Sequence, residues 1–188
     1  YFFSGIVVAA LAAVTVVVVK LKEMGYFNPW MNNDHLFSLG ALLFAFINFW
    51  AYIAFSQFML IWYADLPEET FWFITRWNGG WKFFSLGLIV IHFLVPYIAL
   101  LNQPSKMNPK RLKFIGVWLL FAHLFDLFWL IMPNMESMKS GYYFSWIDLV
   151  FPIAGTGLVI LVFYYKAKKE NLIPIGDPKL KRGIDFHL

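Results

Sequence analysis

Four ionisable side chains fall inside long apolar stretches of this sequence and are the residues best placed to do chemistry: His92, His123, Asp126 and Asp148. A charged side chain at the centre of a bilayer costs at least about 2.5–3.5 kcal/mol, so such residues indicate function by default. His123 and Asp126 are three positions apart and share one face of a helix. A buried carboxylate beside a histidine titrates as a coupled pair, which is the property that proton transfer requires.

Other polar residues extend this pair into a series across the membrane. The candidate proton carriers run from Asp148 and Gln57 near one surface, through Asp126, His123, His92 and Asn48, to Asp34 and His35 near the other. The alternative for Asn48 and Gln57 is a hydrogen bond between helices, worth about 0.6 kcal/mol each. For His123 and Asp126 we favour proton transfer, because packing alone does not explain a carboxylate at this depth.

His92 and His123 also permit a different chemistry, the ligation of a b-type haem. Each lies ten residues from the outer end of its apolar stretch, which places both roughly 15 Å deep at the helical rise per residue. Two histidines at equal depth can supply both axial ligands of a haem, and Asp126 could orient one of them. Beyond this alternative we predict neither catalytic residues nor a metal site. The absence of cysteine from the sequence excludes disulfides, thiolate-held iron–sulfur clusters and c-type haem attachment.

Membrane-spanning helices are needed to position these residues. Apolar residues make up 61% of the 188-residue chain and charged residues 14%, against roughly 45–50% and about 25% in soluble domains. Five apolar stretches together contain only two charged residues, Asp126 and Asp148. Each stretch is long enough for the roughly 18–20 apolar residues of a membrane span. We therefore predict an all-α integral membrane protein with four helices in a bundle and one flanking helix. The helices are expected at about 2–19, 36–64, 83–102, 112–133 and 144–165.

The distribution of basic residues predicts the orientation of these helices. With five crossings, twelve Lys and Arg residues fall on the side that holds the C-terminus and three on the other side. Because cytoplasmic loops carry the excess of Lys and Arg, the C-terminus is expected in the cytoplasm, with 166–188 forming an irregular cytoplasmic tail. This asymmetry accounts for the net charge of +4 without a nucleic-acid partner.

A short interfacial helix is predicted at about 66–77, between the second and third spans. Asp65 and Glu68 have the spacing of a capping box, Pro67 suits the first turn, and Asn78 with the two following glycines ends the helix. Its aromatic residues would anchor at the depth of the lipid headgroups. Their alternative role is the rim of a quinone entrance.

Three sequence motifs resemble one family of membrane proteins. They are NDHLFSLG at 33–40, YIAFSQFMLIWYA at 52–64 followed by PEET at 67–70, and FAHLFD at 121–126. Together they resemble the NrfD/PsrC-like integral membrane subunits of bacterial alternative complex III, a quinol-oxidising complex, and in particular its ActF-type subunit. Such subunits consist largely of two four-helix bundles, and this chain corresponds to the C-terminal half. The chain begins with Tyr1, so we expect it to be a piece of a longer protein.

The resemblance implies a membrane subunit of a quinol:cytochrome c (or other acceptor) oxidoreductase in the bacterial cytoplasmic (inner) membrane. The chain itself would hold no redox cofactor, while partner subunits would carry iron–sulfur clusters and haem c. A sister NrfD-like subunit is a further expected partner. The resemblance also allows a quinone to bind this chain and a terminal oxidase to join the complex. The remaining alternatives are the b-type haem cytochrome and a structural or transport-type helical subunit.

Overall fold

The computed structural model describes residues 1–27, 30–134, 146–169, 173 and 176–187, and these contain helices and turns but no strand. In chain order the helices are α1 (Phe2–Glu23), α2 (Asn33–Ala64), α3 (Pro67–Trp77), α4 (Trp81–Leu88), a π-helical segment (Ile89–Leu94), α5 (Val95–Leu100), α6 (Gln103–Met107), α7 (Pro109–Ile131), a 3-10 turn (Met132–Asn134), α8 (Ile147–Ala167) and α9 (Leu180–Ile184).

Five helical stretches in the described part are long and apolar enough to cross a membrane. They are Phe2–Glu23, Asn33–Ala64, Trp81–Leu100, Pro109–Asn134 and Asp148–Ala167. The predicted all-α membrane fold with five spans is therefore confirmed. The short helix α3 occupies Pro67–Trp77, where an interfacial helix was expected at 66–77.

The ends of the spans differ from the predicted ones for identifiable reasons. Helix α1 continues to Glu23 rather than residue 19, because Lys20 and Lys22 can extend their long side chains towards water from the end of a span. Helix α2 begins at Asn33 rather than residue 36, since the side chain of Asn32 accepts hydrogen bonds from the backbone N–H groups of Asp34 and His35.

The described residues form two compact units, one up to Asn134 and the other from Trp146 to His187. The first contains α1 to α7 and the second contains α8 and α9. Helix α8 begins at Ile147, and residues 144 and 145 of the predicted fifth helix lie outside the described residues. The predicted irregular tail includes the short helix α9 over Leu180–Ile184.

In the first unit, α1, α2, the 81–100 span and α7 pack around one hydrophobic core. Fully buried aliphatic side chains come from each of these helices, including Val8, Leu43, Leu100 and Leu119. Helices α1 and α7 approach closely at Gly116, where a Cβ atom would lie 2.7 Å from Val16 Cγ2 and 3.1 Å from the Ala12 carbonyl oxygen. Small residues permit this kind of close approach between membrane helices.

The third span changes from α- to π-helical geometry at Ile89–Leu94, where the Val95 N–H donates to the carbonyl of Val90. Pro96 has no N–H to continue the pattern, so the Ile91 carbonyl loses its partner within the helix. The indole N–H of Trp118 on α7 donates to that carbonyl at 2.8 Å. A side chain of a neighbouring helix thus satisfies a backbone group that lipid could not. His92 lies in this irregular segment and is fully buried.

Candidate functional site

His92, His123 and Asp126 come together inside the four-helix bundle. One ligand atom from each of the three side chains lies within 4.8 Å of the others. The exposed fraction is 0% for His92, 9% for His123 and 3% for Asp126. His123 and Asp126 share the buried face of α7, and His92 reaches them from the π-helical segment of the third span. We call these three residues the His–Asp cluster.

Two side chains from distant parts of the sequence hold the Asp126 carboxylate. The Tyr1 hydroxyl donates to Oδ1 at 2.5 Å, and the Trp50 indole N–H donates to Oδ2 at 3.3 Å. Both donors are neutral, so they orient the carboxylate without supplying a counter-charge. Neither residue was predicted to belong to the site. Buried Tyr and Trp side chains usually form a hydrogen bond through their polar ends, and this tendency is the sequence signal that could have identified both.

The histidines are packed but incompletely hydrogen bonded. The Trp50 and His92 rings lie with centroids 4.0 Å apart, and the His92 and His123 rings lie 6.4 Å apart. Nδ1 and Nε2 of His92 and Nδ1 of His123 are buried and have no hydrogen-bond partner among the described residues. A neutral imidazole carries one donor and one acceptor nitrogen. The cluster therefore retains lone pairs that a proton or a cation could use.

Gly5 allows α1 to pass directly over the cluster. A Cβ atom at this position would lie 3.1 Å from Cε1 of His123 and 3.4 Å from Oδ2 of Asp126. Any side chain larger than hydrogen would displace one of these groups, so the cluster depends on a glycine in α1.

Arg76 lies on α3, contacts α7 through Leu130 and is only 1% exposed. Its Nη1 and Nη2 donate to the carbonyls of Trp72 and Leu130 at 2.9 and 2.6 Å, and Cζ lies 3.6 Å from the centre of the Trp72 ring. Burial lowers the pKa of Arg76 to about 10, so it stays cationic at neutral pH. Leu130 follows Asp126 by four residues on α7, or about 6 Å along the helix.

A hydrogen-bonded chain connects this arginine to the third and fourth spans. Ser85 Oγ donates to the Arg76 carbonyl at 2.8 Å, and Trp129 Nε1 donates to Ser85 Oγ at 2.8 Å. The Tyr1 ring lies 6.2 Å from that of Trp129. From the sequence, Arg76 enters only the count of loop charges. Its position as the one basic residue of α3, beside Trp77, is the signal that could have identified it.

The predicted site residues Asn48 and Gln57 lie on α2 outside the cluster. Asn48 is half-buried and donates from Nδ2 to the Phe44 carbonyl of its own helix at 2.7 Å. Gln57 is half-buried on α2, seven residues beyond Trp50, or about 10 Å further along the helix. Asp148 is half-buried in the first turn of α8, in the second unit.

Asp34 and His35 belong to the N-terminal cap of α2. His35 Nδ1 accepts from the Asn32 N–H at 3.3 Å and Asn32 Oδ1 accepts from the His35 N–H at 3.1 Å, which completes a capping box. His35 precedes Trp50 by 15 residues, or about 22 Å along the helix. Of the eight predicted proton carriers, the structure brings together His92, His123 and Asp126.

The spacing within the cluster suits a shared proton or a small cation better than a haem. A porphyrin held between His92 and His123 would extend several ångströms to every side of the iron. Asp126 has a carboxylate oxygen within 4.8 Å of both histidines, and Trp50 and Tyr1 are hydrogen bonded to that carboxylate. A macrocycle would have to displace all three side chains.

Two shallow pockets lie in the described part of the chain, and neither is lined by the cluster. One has a volume of about 190 Å³ between Ile91, Trp118, Phe121 and Phe125, and the other about 330 Å³ beside Trp62, Tyr63 and Asp65. In the first, the Trp118 N–H is already used by the Ile91 carbonyl. The second has the Tyr63 hydroxyl and the Asp65 carboxylate among its lining groups.

Comparison of the sequence with models of known protein families gives no match, and comparison with curated proteins gives none either.

Proposed function

We propose that this chain is a membrane subunit of a quinol:cytochrome c (or other acceptor) oxidoreductase, to which it contributes a proton pathway and a docking surface. The observation that carries the proposal is the Asp126 carboxylate, 3% exposed within a bundle of membrane-spanning helices and in contact range of two histidines. A carboxylate at this depth is expensive and indicates a proton or ion pathway. The resemblance to NrfD/PsrC-like subunits supports the redox assignment.

The cluster supplies the groups that a proton relay needs. Asp126 can hold a proton between its carboxylate and the Tyr1 hydroxyl, which donates to it at 2.5 Å. The unpartnered nitrogens of His92 and His123 are the next acceptors. Separations of up to 4.8 Å exceed a direct hydrogen bond, so transfer requires either a side-chain rotation or one bridging water.

Arg76 gives this relay a direction. Its fixed positive charge lies about one helical turn beyond Asp126 on the side of α3. A cation there opposes the passage of a proton past the arginine by like-charge repulsion. We therefore expect protons to exchange with the cluster mainly from the cytoplasmic half of the bundle.

The exposed aromatic face of α3 is the proposed docking surface for redox subunits. Phe71, Ile74 and Trp77 are each more than half exposed on this helix. The basic residues favour the opposite side of the membrane as cytoplasmic, so α3 would face partners that carry iron–sulfur clusters or haem c outside the cytoplasm. We expect the loop at 134–144, on the same side of the membrane, to contact these partners as well; apart from Asn134 it lies outside the described residues.

The test of the proposed function is Asp126→Asn in the assembled complex. The amide keeps the shape and most of the hydrogen bonding of the carboxylate but cannot exchange a proton. We expect intact assembly with a lower proton-to-electron ratio or slower turnover under a proton-motive force. Asp185→Asn, the same change at an exposed position of the second unit, is the matched control and should change neither quantity. Unchanged stoichiometry and turnover in Asp126→Asn would refute the relay.

The same preparations separate the competing functions. A b-type cytochrome would show a Soret band from the isolated subunit that disappears in His92→Leu or His123→Leu. A structural or transport-type subunit would leave quinol oxidation by its complex independent of the cluster. The proposed function requires no haem absorption from this subunit and a proton-linked defect in Asp126→Asn.

A further inference from the structure

We propose that His92, His123 and Asp126 form a binding site for one divalent first-row transition-metal ion of the Zn²⁺ type. The inference goes beyond the proposed function, because it concerns equilibrium binding and requires no quinol oxidation. Two imidazole nitrogens and a carboxylate oxygen are donors that Zn²⁺ accepts in proteins, and three protein ligands are the usual number where a fourth position stays open.

The separations within the cluster fit such an ion. Because the three ligand atoms lie within 4.8 Å of one another, an ion placed at their centre would lie no more than about 2.8 Å from each of them. Bonds from zinc to nitrogen or oxygen measure about 2.0–2.2 Å. Side-chain movements of less than 1 Å would therefore close the site. Helical bundles hold metal ions in this way, between inward-facing side chains of neighbouring helices.

The histidine nitrogens supply a second, independent observation. His92 is completely buried, yet both of its ring nitrogens and Nδ1 of His123 have no partner among the described residues. A buried polar atom without a partner costs about 1–3 kcal/mol. Coordination of a cation would give one nitrogen of each ring a partner.

The residues around the cluster resemble the outer shell of a metal site. Tyr1 and Trp50 each donate to one Asp126 oxygen, and every carboxylate oxygen has a further lone pair for a metal. Partners of this kind fix the orientation of a ligating carboxylate. Gly5 leaves the space above His123 and Asp126 free of a side chain.

Metal and proton would compete, because they use the same lone pairs. If the proposed function is correct, an ion in the cluster should also inhibit turnover. The binding measurement does not depend on that outcome. A complex that binds metal but shows no proton-linked defect in Asp126→Asn would retain the metal site and lose the proton relay.

The experiment uses the purified complex in detergent, treated with a chelator and then titrated with Co²⁺, which absorbs visible light in a tetrahedral nitrogen and oxygen site. We expect one Co²⁺ per chain, displaced by Zn²⁺. His92→Leu and Asp126→Asn should each weaken binding at least tenfold. His187→Leu removes an exposed histidine of the second unit and should leave the binding unchanged.

A second measurement needs no variant and covers the case in which a substitution prevents assembly. X-ray absorption at the zinc edge of the unmodified complex should show two imidazole ligands among nitrogen and oxygen donors. The proposal is overturned by the absence of saturable Co²⁺ binding, by binding that persists unchanged in His92→Leu, or by a zinc spectrum without imidazole scattering.

Discussion

Replacement of Gly116 by alanine should disrupt the contact between α1 and α7. The added Cβ atom would lie 2.7 Å from Val16 Cγ2 and 3.1 Å from the Ala12 carbonyl oxygen, where ordinary contact begins at 3.4 Å. The valine side chain would have to withdraw by about 0.7 Å, and its branched Cβ leaves it one strongly preferred rotamer in a helix. The carbonyl belongs to the backbone, so α1 itself would have to move.

Gly87→Ala provides a matched control for the size of this effect. Gly87 is a helical glycine of α4, and a Cβ atom there would meet only Phe125 Cζ at an ordinary 3.8 Å. Both substitutions replace glycine by alanine within a helix, so both gain the same helix propensity, which is about 1 kcal/mol in a host peptide. The difference between the two variants therefore reports overpacking alone, which typically costs about 1–3 kcal/mol.

The assay is reversible unfolding of the chain in mixed micelles, with increasing SDS and far-ultraviolet circular dichroism as the readout. We expect the free energy of unfolding of Gly116→Ala to lie about 1–3 kcal/mol below that of Gly87→Ala. Equal stability of the two variants would mean that α1 and α7 do not approach at Gly116, and the reasoning from close helix contact would be wrong.

Two further substitutions address the site. Gly5→Ala should displace His123 by a few tenths of an ångström, because the added Cβ atom would lie 3.1 Å from its Cε1. We expect this to weaken Co²⁺ binding by about 1–2 kcal/mol, a roughly five- to thirtyfold loss of affinity, and unchanged affinity would contradict the closeness of α1 to the cluster. Arg76→Lys should lower the free energy of unfolding by about 1–3 kcal/mol, because one ammonium group cannot replace both guanidinium hydrogen bonds. Burial lowers the pKa of folded Arg76 to about 10, so the folded protein releases this proton at a lower pH than the unfolded chain does, and the contribution of Arg76 to stability should rise with pH only above about 10. Between pH 6 and pH 8 this group should leave the free energy of unfolding of the wild-type chain unchanged.

Much of the architecture follows from local properties of the sequence. The length and apolarity of each stretch determine a membrane-spanning helix, because a backbone in lipid must satisfy its own hydrogen bonds. Helix α3 follows from the proline and acidic residues at its start and the glycines after its end. The spacing of His123 and Asp126 places them on one face of α7 in any packing.

The partners of these residues depend on the tertiary structure. Tyr1 and Trp50 reach Asp126 across sequence separations of 125 and 76 residues, and no local pattern encodes which helices become neighbours. His92 joins the cluster because Pro96 and the π-helical turn alter the direction in which that segment presents its side chains. Arg76 is buried because α3 packs back onto the bundle, where two carbonyls and an indole ring receive its guanidinium.

The predicted series of polar residues shows which properties follow from the sequence and which depend on tertiary packing. The order of Asp34, His35, Asn48 and Gln57 along α2 gives each a depth in the membrane, because the rise per residue is constant. It does not determine what each side chain contacts. Asn48 bonds to its own helix, and His35 completes a cap. Depth is a one-dimensional property that a sequence contains, whereas a site requires side chains from several helices to meet, and only packing in three dimensions decides that.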